Sequence, residues 1–78
     1  MIKKAYLVGT HRYSFRAGEP AEILGVMFVT PPENEIRACY HIRFDDGRDD
    51  FVPLSETHHF EIISQEDVKL GKVPKVVH

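Results

Sequence analysis

The chain has no tryptophan and one cysteine, Cys39. One thiol cannot close a disulfide within the chain, and no zinc site can be assembled from cysteines. The lone thiol fits a reducing compartment. No hydrophobic run approaches the length of a membrane-spanning helix. The opening Met1–Gly9 stretch carries Lys3 and Lys4 before a short apolar run. That run stops after about five residues, short of the ~7–15 of a secretory h-region. A cytoplasmic protein is the expectation. Glycine-rich phosphate loops are missing as well. With 78 residues, one domain is expected, burying ~60% of its extended-chain surface and only marginally stable.

Excess charge of one sign is also lacking, for the net charge is −2. The distribution is nevertheless uneven. Lys3, Lys4, Arg12 and Arg16 face no acid within residues 1–18, and Lys69, Lys72 and Lys75 face none from Val68 onward. All twelve acids lie between Glu19 and Asp67, against three arginines. Basic ends beside an acidic body either neutralise it internally or form a basic face for an anionic partner. A general nucleic-acid binder is usually basic overall, which this chain is not.

What the chain does have is β-patterning. Tyr40, Ile42 and Phe44 alternate with His41 and Arg43, placing three apolar side chains on one strand face. Asp45-Asp46-Gly47 supplies hairpin turn chemistry, and Phe51-Val52 begins the return. Strands are expected over residues 4–10, 21–30, 36–44, 49–54 and 60–63. Gly25 inside the second marks a bulge or bend. Pro53 puts the fourth at an edge or at its end. Residues 55–59 suit one turn of 3₁₀ helix. Ser64-Gln65-Glu66-Asp67 loosely matches a capping box, with Gly71 as the stop of a helical turn or two. Residues 1–71 then form the domain and 72–78 a tail or an additional edge strand, which offers a route to a homodimer. Five short strands argue an all-β, small antiparallel barrel or sandwich.

The hairpin Tyr40-His41-Ile42-Arg43-Phe44-Asp45-Asp46-Gly47 with its Phe51-Val52-Pro53-Leu54 exit resembles the Src-homology-3-like or Tudor-like barrel superfamily. So does the 3₁₀ turn expected at Ser55–His59 before Phe60-Glu61-Ile62-Ile63. The resemblance covers about half the chain. It implies a five-stranded barrel, and for Tudor-like members an aromatic cage around a methylated lysine or arginine. The candidate cage residues are Tyr13, Phe15 and Phe51 with Asp46, Asp49 and Asp50 as the carboxylates, and Arg16 completes the candidate binding residues. The absence of tryptophan, and of the usual aromatic-acidic motif in the opening strand, argues against proline-motif recognition.

Candidates for chemistry are thin. No histidine pair has the i, i+4 spacing of a zinc helix, so no metal and no cofactor is expected. Asp45–Asp50 lacks the alternating ligands and terminal glutamate of an EF-hand. Ser14 near His11, Ser55 near His58 and Cys39 near His41 are neighbours in sequence without a catalytic spacing. A chain this short has little room for a pocket of ~300 Å³. The expectation is therefore a non-catalytic protein-interaction module gripping a basic or methylated segment through His11–Arg16 and Asp45–Phe51. The alternative is a nucleic-acid or ribonucleoprotein accessory using Lys3, Lys4, Arg12, Arg16, Lys69, Lys72 and Lys75.

Overall fold

The computed structural model describes residues 4–14, 16–30 and 36–77. Five strands, β1 (Ala5–Gly9), β2 (Ala21–Val29), β3 (Arg37–Phe44), β4 (Asp49–Pro53) and β5 (Phe60–Ser64), form one sheet in the order β4-β3-β2-β1-β5. All four pairings are antiparallel. A 3₁₀ segment, Leu54–His59, links β4 to β5, and a short helix, α1 (Gln65–Lys69), follows. The sheet is open, ending at β4 on one side and β5 on the other. The closed barrel expected from the sequence is thus not completed by backbone pairing.

The expected alternation builds the core. Ile42 and Phe44 are buried on one face of β3, and with Leu7, Ala21 and Val52 they form the central cluster, with Ile23, Tyr40 and Phe60 packed against it. Gly47 takes φ +87° in the β3–β4 turn, left-handed geometry that glycine adopts without a Cβ penalty. The turn is closed by Phe44 N–H donating to the Arg48 carbonyl at 2.8 Å and Gly47 N–H donating to that of Phe44 at 2.9 Å. β4 lies at the edge and ends at Pro53, where a residue without an N–H can be accommodated.

The β2–β3 register shifts between Ile23 and Gly25. Gly25 signals the bulge, and the extra residue is Leu24. Beyond it β2 continues alongside β3, leaving Val26, Met27 and Phe28 exposed. β1, by contrast, pairs with β2 at Ala21 and Glu22.

At the helix, the Ser64 hydroxyl accepts from Asp67 N–H at 3.1 Å, as an N-cap does. Gly71 sits at φ +72°, and the amides of Lys72 and Gly71 donate to the carbonyls of Asp67 and Val68. These two bonds are the Schellman pattern, so the helix stops where the glycine permits it. Residues 72–76 belong to no strand, but Val77 makes a parallel bridge to His11, its N–H donating to the Thr10 carbonyl at 2.6 Å. The segment expected to be a loose tail or an intermolecular edge is thus tied back to the first loop at this point.

Candidate functional site

The β1–β2 loop begins at Thr10 and is pinned to the 3₁₀ segment by one carbonyl. The His59 carbonyl accepts from Thr10 N–H at 2.9 Å, Thr10 Oγ1 at 3.2 Å and Ser14 Oγ at 3.3 Å. This brings residues 11–14 beside β4 and the 3₁₀ segment and opens a surface groove of about 370 Å³. Tyr13 lines it from the loop, Asp50 and Phe51 from β4, Glu56 and His59 from the 3₁₀ segment, and Phe60 from β5. The short chain accommodates a hollow of this size because it lies between elements and is open to solvent, not enclosed by the core.

Three of the residues singled out from sequence, Tyr13, Asp50 and Phe51, therefore share one groove. Arg16, Asp46 and Asp49 lie elsewhere. Phe15 and Lys3 fall outside the described residues. The β3–β4 register separates the two neighbouring aspartates, for Asp50 stands opposite Ile42 and Asp49 opposite Arg43. On its side Asp49 accepts from Arg43 Nε at 2.6 Å and Nη2 at 3.0 Å, and contacts His41 Nε2 at 2.8 Å. Arg43 first, and His41 second, hold the Asp49 carboxyl down at about 2. Phe51 stacks on His41 with ring centroids 5.0 Å apart.

Arg16 ties the first loop to the hairpin turn. Its guanidinium forms paired bonds to Glu19 at 2.9 and 3.0 Å and to Asp46 at 3.0 and 3.1 Å, and lies 4.2 Å from the Phe44 ring centroid. The bonds to Glu19 and Asp46 raise the Arg16 pKa, and Arg16 in turn lowers that of Glu19. Asp46 is lowered first by the Arg48 amide and then by Arg16. Arg16 holds φ +51°, which a side chain rarely adopts. Its four carboxylate bonds and its ring contact favour that conformation.

The acid–base pairs make a pH prediction with a defined sign. A carboxyl whose folded pKa lies below its unfolded value stabilises the fold above the unfolded value and loses that contribution as pH falls through the folded one. For Asp49 the window runs from 3.8 down to about 2. Wild type should lose stability across that window. Asp49→Asn should flatten the loss in urea titrations at successive pH values, and added salt should reduce the difference between the two chains.

His11, the first residue of the loop expected to grip a partner, lines the groove. Its ring lies 5.1 Å from that of His59 and 5.3 Å from that of Tyr13. The His58 and His59 rings are 3.9 Å apart, since the segment is 3₁₀ and not extended. Among the described residues no group of three His, Cys, Asp or Glu side chains is arranged to hold a metal ion. Two of the three sequence-adjacent nucleophile candidates, Ser14 and Cys39, are directed elsewhere. Ser14 Oγ donates to a carbonyl, buried Cys39 faces the Arg37 carbonyl at 3.8 Å, and His41 contacts Asp49.

Of the basic residues at the ends, Lys4 pairs with Glu22 at 3.3 Å and the Arg12 guanidinium lies 4.7 Å from the Tyr13 ring centroid. Lys69, Lys72 and Lys75 form no ion pair with a described residue. Among the described residues no helix is long and apolar enough to cross a membrane.

These features define a small all-β domain with an open five-stranded sheet and an aromatic-acidic surface groove. No family model, curated protein or solved structure matches the chain.

Proposed function

We infer that the chain is a small protein-interaction module whose groove takes up a cationic, extended segment of another protein. The observation that carries this reading is the company Asp50 and Glu56 keep. Glu19, Glu22, Asp46 and Asp49 are each paired with a base in the same chain. Asp50 and Glu56, like Asp45, Glu61, Glu66 and Asp67, have no cationic partner among the described residues, and of these six acids they alone line the groove, with Tyr13, Phe51 and Phe60. Carboxylates beside aromatic faces attract a cation by charge and by ring quadrupole together. The strand order and the 3₁₀ link between β4 and β5 support assigning the domain to the Src-homology-3-like or Tudor-like class, whose members use comparable surfaces.

A fluorescently labelled arginine- and lysine-rich decapeptide is a suitable probe, read by anisotropy. Tyr13→Ala and Asp50→Asn should each weaken its binding by about tenfold, the effect of one lost charged or aromatic contact. Lysine-to-glutamate reversals at 69, 72 and 75 should leave it intact. The unpaired state of those three lysines favours a second reading, an accessory that contacts nucleic acid. A labelled DNA duplex in place of the peptide distinguishes the two. Steep salt dependence, with loss of duplex binding on the lysine reversals and no effect of Tyr13→Ala or Asp50→Asn, would replace the first reading by the second.

A further inference from the structure

We propose that two copies of the chain pair antiparallel along the outer edge of β2, joining their sheets into one. Among the described residues, nothing pairs with Gly25–Val29 on the side away from β3, because the β1 ladder covers Ala21 and Glu22. Among the described residues that edge has backbone donors and acceptors without a partner strand, which an extended strand satisfies and a helix or a loop does not. Residues 23–29 read Ile-Leu-Gly-Val-Met-Phe-Val, with no charge and no proline to discourage pairing. Glu22, at the start of β2, is held by Lys4 at 3.3 Å, so self-pairing brings no unbalanced like charges together there.

The side chains along this arm match the backbone. Val26 is 53% exposed, Met27 46% and Phe28 76%, with Ile36 70% exposed just before β3. Together with Leu24 they offer roughly 500 Å² of apolar surface, and backbone pairing adds to it, against the ~800 Å² per partner of a stable interface. A second copy is the occupant that supplies an equally uncharged strand, apolar on both faces, whose same edge is unpaired among the described residues. A two-fold axis near Met27 makes the contact self-complementary and closed. The other edge considered for self-association, Val73–Val77, already gives the Val77 N–H to Thr10 within the chain. The β2 contact is separate from the groove, so each can fail without the other.

Sedimentation equilibrium of the full chain should give twice the 9.0 kDa chain mass. Val26→Lys combined with Phe28→Lys should weaken the dimer by about 100-fold, because the axis near Met27 sets position 26 of each copy opposite position 28 of the other, so that lysines face lysines across the new ladder in place of apolar pairs. Far-UV circular dichroism checks that the variant folds. A second variant does not depend on that check. With the axis near Met27, the paired Cα atoms come within ~4.5–5.5 Å, inside disulfide range, so Met27→Cys on a Cys39→Ala background, which removes the thiol opposite position 27 in the β2–β3 ladder, should give a covalent dimer on treatment with diamide. A wild type that stays monomeric up to ~1 mM overturns the proposal. So does a folded double-lysine variant that still dimerises, or a folded Met27→Cys, Cys39→Ala chain that fails to cross-link.

Discussion

Ile42→Ala should cost about 2–5 kcal/mol in urea denaturation, the range for truncating a large aliphatic side chain in a packed core. A chain of 78 residues has on the order of 4–12 kcal/mol of stability in total. One substitution therefore removes a large part of what holds the fold. The cost is concentrated at Ile42 because the side chain is 2% exposed and sits in the central cluster with Leu7, Ala21, Phe44 and Val52. β3 lies between β2 and β4, so the cavity cannot be closed by moving one edge strand. Ile42→Val, which removes one methylene, should cost only about 0.5–1.5 kcal/mol. Met27→Ala, at a site 46% exposed, should cost less than Ile42→Ala when measured on the monomer at high dilution. Equal losses at positions 27 and 42 would mean that the stabilising core is not where the buried cluster lies.

The same alternation that identifies Ile42 makes most of the architecture readable from sequence. Tyr40, Ile42 and Phe44 share a face whatever the strand pairs with, because the two-residue period is a property of the backbone. Gly47 marks the turn, Ser64 the start of the helix and Gly71 its end, since each carries its local signal within a few residues. What is not readable depends on register and on distant contacts. Asp49 and Asp50 look alike as letters. One residue of register sends the first to Arg43 and His41 and leaves the second opposite Ile42 and lining the groove. Arg16 meets Asp46 across 30 residues, and His59 accepts from Thr10 across 49. No local pattern encodes either. The groove was therefore half legible. Its His11, Tyr13, Asp50 and Phe51 lie in the loop and hairpin that the sequence singles out, whereas Glu56, His59 and Phe60 enter it through tertiary packing. Whether the sheet closes is also a tertiary matter, since it depends on how two edge strands meet and not on the pattern within either.

Gly9→Ala should then disturb fold and groove together. A Cβ at Gly9 would lie 2.7 Å from Ser14 Cβ and 3.3 Å from Phe60 Cε1. The first approach is closer than real Cβ atoms tolerate, and Ser14 Cβ is fixed to the backbone, so the loop itself has to move. Overpacking of this kind costs about 1–3 kcal/mol. The displacement falls on Ser14, whose hydroxyl donates to the His59 carbonyl, and on Phe60, which lines the groove. Gly9 also accepts from Gly18 N–H at 2.9 Å, so the far end of the loop is tied to the same residue. The expected result is a chain that unfolds at lower urea and, while still folded, binds the basic decapeptide more weakly. Ser14→Gly on the Gly9→Ala background removes the clashing Cβ. It should restore most of the stability, apart from the hydroxyl bond to His59. Recovery of peptide binding in that double variant would locate the binding surface at the loop that Gly9 admits. Undiminished binding by the folded Gly9→Ala chain would place the decapeptide elsewhere on the molecule.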